Sequence, residues 1–138
     1  CGLVFRLKME VGAKTIEERE RHWWEQAKSA WGGSRNLFLL GDTSLPRLSI
    51  VSFVVGHGKR LVHHGFIASL LNDLFGIQSR SGCSCAGPYG QRLFDICASA
   101  GQAVEAVALQ GEEAVKPGFV RVNFNFFLAE ETARFIID

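Results

Sequence analysis

The segment Arg80-Ser81-Gly82-Cys83-Ser84-Cys85-Ala86-Gly87-Pro88 carries the strongest chemical signal in this sequence. Two thiols stand among small residues, behind an arginine and ahead of a helix start. Positive charge and the free amides of a helix beginning both favour thiolate over thiol, and the thiolate is the nucleophile. One reading makes Cys85, or else Cys83, a nucleophile or sulfur carrier. The other makes the pair small residues filling space under a loop. Cys-x-Cys with His57, His63 and His64 could also offer ligands to a metal, but the spacing matches no common zinc motif and no metal site is expected. His63-His64 reads as a helix opening with its rings partly solvated, and Cys97, in a run of small residues, as a core filler.

The second candidate is Arg121 in Phe119-Val120-Arg121-Val122-Asn123-Phe124. Alternation puts Phe119, Arg121 and Asn123 on one face of a strand and Val120, Val122 and Phe124 on the other. A guanidinium between an aromatic and an amide neighbour suits a bidentate carboxylate. A solvent-facing sheet arginine is the alternative.

These residues need elements to hold them. A helix is expected from Leu3 to Val11, broken by Gly12, and a second from Thr15, where Thr15-Ile16-Glu17-Glu18 fits a capping box. Glu17 and Arg21 lie one turn apart on its outer face, and Ile16, Trp23, Ala27, Ala30 and Trp31 form a buried stripe that ends at Gly32-Gly33. Strands are expected at Asn36 to Leu40 and at Leu48 to Val55. The latter is apolar on both faces and belongs in the middle of a sheet. Gly56 to Lys59 reads as loop. Phe66, Ile67, Leu70, Leu71 and Leu74 mark an amphipathic helix from His63 to Phe75, capped by Gly76. An extended stretch, Ile77 to Arg80, leads into the cysteine segment. A short helix to Phe94, a helix between Cys97 and Gln110, a strand from Phe119 to Phe124 and a helix from Glu130 to Ile137 complete the chain. The expected fold class is α/β (α+β): a two-layer sandwich of a small, mostly antiparallel sheet with helices packed on one side.

Composition excludes several roles. The 138 residues suffice for one domain with a core, and 15 basic against 14 acidic residues give a net charge of +1 with no long block of either sign. Neither a nucleic-acid partner nor a membrane surface is expected. No apolar run approaches the ~20 residues of a membrane span. Four cysteines without a secretion signal suggest reduced thiols in the cytoplasm. The chain does not begin with methionine, and Leu3 to Met9 reads like a helix interior, so a piece of a longer protein is expected.

The motif and the strand arginine together resemble the small carboxy-terminal domain of the class V aminotransferases, especially the cysteine desulfurases. In that family Arg-x-Gly-x-x-Cys-Ala-x-Pro carries the catalytic cysteine, and Arg80, Gly82, Cys85, Ala86 and Pro88 meet every fixed position. A later strand arginine grips the substrate α-carboxylate there. Arg121 falls at that place, with Asn123 where serine is usual. The layout is similar from Thr15 onward, and closest to a branch with Gly-Cys-x-Cys-Ala-Gly-Pro-Tyr-Gly. Residues 1–14 resemble the end of the helix that joins the family's two domains, and 15–138 the small domain.

The resemblance implies that Cys85 attacks the sulfur of a cofactor-bound cysteine and takes it as a persulfide, with selenocysteine or another amino acid as the alternative substrate. Arg121 would hold the carboxylate, Arg80 would be a secondary contact, and Cys83 an extra thiol. It also implies pyridoxal phosphate, held in the family through a lysine of the large domain. Lys8, Lys14, Lys28, Lys59 and Lys116 lie in no such motif, so no cofactor is expected on this chain alone and no activity without a large-domain chain. Two further roles stand beside this one: an oligomerising or binding module, with 11 Phe and 3 Trp favouring a homodimer, and a thiol sulfur acceptor.

Overall fold

Ile50-Val51-Ser52-Phe53-Val54-Val55 is a β-branched and aromatic run that a pleated strand can bury on both faces. The computed structural model describes residues 2–82 and 87–138. Its strands are β1 (Leu37–Leu39), β2 (Ile50–His57), β3 (Arg60–Leu61), β4 (Arg80–Gly82) and β5 (Phe119–Asn123). They form one antiparallel sheet in the order β1-β2-β5-β4, with β3 folded back on β2. The apolar run is therefore an interior strand, as its composition requires. The helices are α1 (Gly2–Val11), α2 (Ala13–Trp31), α3 (His64–Phe75), α4 (Gly87–Leu93), α5 (Ala98–Ala108) and α6 (Glu130–Ile137), with a 3-10 turn at Glu113–Val115. The chain is an α+β domain with a small antiparallel sheet.

Register decides which face is core. Val51 opposes Val122, Phe53 opposes Val120 and Leu39, and Val55 opposes Leu37, so these residues share one face. Trp23, Trp24 and Ala27 of α2, Ala133 and Ile137 of α6, and Ile67 and Leu71 of α3 pack onto it with Phe124. Each fully buried Val or Phe contributes on the order of 1.5–3 kcal/mol there. Trp31 closes the layer: its ring lies 5.7 Å from that of Phe53 and 6.0 Å from that of Phe124, and its Nε1 donates to Ile137 O at 2.8 Å.

Several local expectations are corrected. The helix expected at Thr15 begins at Ala13, with Gly12 at its cap position and no side-chain cap, so the capping box does not form. Gly12 has φ 88°, and that left-handed turn alone separates α1 from α2. The ion pair on α2 joins Lys14 to Glu18 at 3.9 Å, not Glu17 to Arg21. Ala30 is exposed and Trp24 is buried instead, because the loop before β2 covers it, with the Arg47 guanidinium 4.4 Å from its ring centre. The loop expected at 56–59 is a two-residue hairpin: β2 runs to His57, Gly58 turns with φ 60°, and Arg60 pairs with His57. On α3, Ile67 and Leu71 reach the core while Phe66 and Leu74 remain 57% and 68% exposed. Gly76 does cap α3, left-handed at φ 66°, with Ile77 N donating to Leu71 O in a Schellman closure. Among the described residues, no helix is long and apolar enough to cross a membrane.

Candidate functional site

β5 places Arg121 as its alternation predicts, opposite in face to Val120, Val122 and Phe124. The pairing adds what the one-dimensional pattern omits. Arg80 of β4 is the cross-strand partner of Arg121, and Ser52 of β2 is its partner on the other side. Directly opposed residues of an antiparallel pair point to the same face, with Cα atoms about 4.5–5.5 Å apart. Arg80, Arg121 and Ser52 thus form a row across the face away from the core. Arg121 and Ser52 are half-buried and Arg80 is exposed. Among the described residues, neither guanidinium is paired with a carboxylate.

The chain leaves this sheet at Gly82 with φ 96°, a conformation that side chains rarely adopt. The glycine of the cysteine motif thus has a backbone reason: it turns the strand end toward the thiol-bearing segment. Cys83 and Cys85 themselves lie outside the described residues. The chain resumes in α4, whose following residue Phe94 brings its ring 6.4 Å from that of buried Phe119.

Sequence reasoning missed how His64 serves this corner. His63 caps α3, its Nδ1 accepting from Gly65 N at 3.1 Å, as the expected helix opening requires. His64 turns inward, and its ring lies beside Gly118 and Gly82. A Cβ on Gly118 would overlap that ring and stand 2.7 Å from the Gly82 Cα, so glycine is required there for β4 and β5 to close. His64 Nε2 lies 3.3 Å from Lys116 O, and because a carbonyl only accepts, this hydrogen bond requires the proton on Nε2. Nδ1 is buried without a partner among the described residues. Burial, reinforced by the neighbouring His63 ring 4.2 Å away, lowers the His64 pKa from its ordinary 6.5, against the opposing pull of the Lys116 carbonyl.

That shift has a definite sign. The folded chain takes up the His64 proton less readily than the unfolded chain does. Stability is therefore unaffected above about pH 7 and falls as pH drops below about 6.5. Urea midpoints measured from about pH 7.5 to 5.5 should decline more steeply for the wild type than for His64→Gln. Parallel slopes would show that His64 is not held neutral by the fold.

Cys97 is not the core filler its neighbours suggest. It is exposed at the start of α5, with Sγ 3.3 Å from Ser99 Oγ. That hydroxyl first, and then the helix amides, lower its pKa. As for the metal alternative, no group of three ligating side chains occurs among the described residues. No protein-family model matches the chain, and no curated protein matches it in sequence.

Proposed function

We propose that the chain is the small domain of a pyridoxal-phosphate enzyme of the class V aminotransferase type, nearest the cysteine desulfurases. Arg121 binds the substrate α-carboxylate, Arg80 is the secondary contact, and Cys85 is the thiolate nucleophile, with Cys83 a second thiol beside it. What supports this reading is a juxtaposition: Arg80 of the cysteine motif and Arg121 are cross-strand partners, and Cys83 follows Arg80 by three residues in sequence. Among the described residues no carboxylate pairs with the half-buried Arg121, whose planar fork suits a bidentate carboxylate.

The residues present do not fit the cofactor. Lys8, Lys14, Lys59 and Lys116 are exposed, and Lys28 is only half-buried, near the end of α2. A Schiff-base lysine needs a desolvated or cationic setting to be an amine at neutral pH. This domain supplies the carboxylate grip and the thiol, and the lysine with its phosphate cradle belongs to a large domain. The compartment that goes with this reading is the cytoplasm, where a nucleophilic thiol such as Cys85 stays reduced.

Alkylation resolved by peptide mass spectrometry tests the thiol assignment, and separates Cys97 from the others. Cys85 should react with iodoacetamide with a half-maximum well below the about 8.5 of a free thiol, and Cys83→Ser should leave that profile in place. An ordinary thiol profile at Cys85 would overturn the assignment. A Cys83–Cys85 disulfide forming under mild oxidant would favour the thiol-acceptor alternative.

A second reading has its own observation. On α1, Leu3, Phe5 and Met9 are 80%, 68% and 81% exposed, and no residue of that helix is buried. Such a surface favours self-association, and a homodimer is its simplest form.

A further inference from the structure

We propose that the hairpin end of the sheet, formed by Arg35, His57, Lys59 and Arg60, docks an acidic segment of a partner protein. The inference goes beyond the small-domain reading and uses none of its site residues.

The strand register places these groups together. Leu37 opposes Val55, and Gly56 N donates to Asn36 O at 2.7 Å, so the next residues outward, Arg35 and His57, stand across from each other. His57 in turn opposes Arg60 across the β2–β3 hairpin. Directly opposed residues of antiparallel strands share a face. Arg35, His57 and Arg60 therefore form a row across adjoining segments, with Lys59 in the turn beside it. All are exposed, and among the described residues none of these side chains makes an ion pair or hydrogen bond. Like charges side by side across strands destabilise a sheet unless something neutralises them. The surrounding sequence does not. Between Glu25 and Asp73 the one acidic residue is Asp42, which accepts from Ser44 and lies past the opposite end of β1 from Arg35.

The occupant follows from size and chemistry. Strands lie about 4.8 Å apart, so the row spans about 10 Å. An extended chain repeats a side chain on one face about every 7 Å, so alternate Glu or Asp residues match it. Exposed apolar groups adjoin the row: Leu61 follows Arg60, and the Phe38 ring packs over Gly56, where a Cβ would stand 2.8 Å from it. Apolar contact beside charge suits a polypeptide. Nucleic acid draws its affinity from many phosphates, about 6–10 contacts in a typical complex, and this corner is too small to supply them. β2 continues to His57 beyond the point where Phe53 meets Val120, and β4 finishes at Gly82 toward the same end. A docked segment thus sits at the sheet end where the cysteine motif leaves β4.

The test is titration of the purified chain at low ionic strength, followed on its backbone amide resonances. The probes are a peptide of about ten residues with alternate Glu and one Leu, the same peptide with Gln for Glu, and a short DNA duplex. The Glu peptide should shift amides within 35–38 and 56–62, and should bind about tenfold more tightly than the Gln peptide. The double variant Lys59→Gln, Arg60→Gln should lose about tenfold in affinity for it, and Arg35→Gln should weaken it as well. Arg121→Gln should bind the peptide as the wild type does, which keeps this result separate from the carboxylate reading. No binding, equal binding of the Gln peptide, or unaltered affinity in the hairpin variants would overturn the proposal. So would loss of binding in Arg121→Gln, which would move the contact to the Arg80–Arg121 row. Tighter binding of the duplex through the same amides would overturn it in favour of a nucleic-acid partner. The substituted side chains are exposed, so the variants should keep the wild-type fold, which circular dichroism checks.

Discussion

Phe124→Ala is expected to remove about 3–5 kcal/mol of folding stability, the cost of deleting a fully buried aromatic ring and leaving part of its cavity open. Phe124 is 0% exposed and is the largest of the fully buried side chains. It stands at the end of β5, where its backbone N–H donates to Ser49 O at 2.9 Å and so aligns β5 with the segment entering β2. Its ring also meets Trp31, whose indole ties α2 to the last turn of α6. One side chain thus joins the sheet to two helices. A domain of this size holds about 5–15 kcal/mol in all, so the loss should leave the variant near its unfolding transition. Urea denaturation measures it. Phe124→Leu, which keeps most of the volume, should cost less than about 1.5 kcal/mol. A loss below about 1 kcal/mol for the alanine variant would contradict the description of the core.

The same variant separates scaffold from site. Arg121 lies three residues before Phe124 on the opposite face of the strand, so its guanidinium makes no part of that packing. Loosening the core should impair ligand binding only through unfolding, whereas removing Arg121 should impair binding with the core intact.

The parts of the fold legible in the sequence were those governed by local period. Val120, Val122 and Phe124 alternate with Phe119, Arg121 and Asn123, and the sheet keeps that division. The apolar run around Val51 and Phe53 announced an interior strand, and Gly76 announced a helix end. Contacts between distant segments were hidden. Ile77 to Arg80 read only as extended chain, so nothing in its composition said that Arg80 would pair with Arg121. The wedge of His64 between Gly82 and Gly118 needs three segments to converge, and two of the residues are glycines with no side chain to signal it. The expected stripe on α2 left out Trp24, whose burial depends on the loop carrying Arg47, a contact between segments that helical period does not encode. Cys97 misled for the converse reason. Small neighbours are as compatible with a helix start as with a core, and Cys97 takes the exposed cap position before α5.

The claim that this domain holds carboxylate and thiol groups but no cofactor lysine makes an all-or-none prediction. An imine forms stably only with an amine that is unprotonated and enclosed, and a solvated lysine keeps its proton up to about pH 10.4. Lys14 lies exposed on α2, 3.9 Å from the Glu18 carboxylate. Lys28, half-buried on α2, belongs to a different element from the strands that hold Arg80 and Arg121. The most direct measurement is the intact mass of the chain after incubation with pyridoxal phosphate and reduction with borohydride. The account predicts substoichiometric labelling scattered over several lysines, with no lasting imine absorption band. One adduct per chain on a single lysine, accompanied by that band, would contradict it.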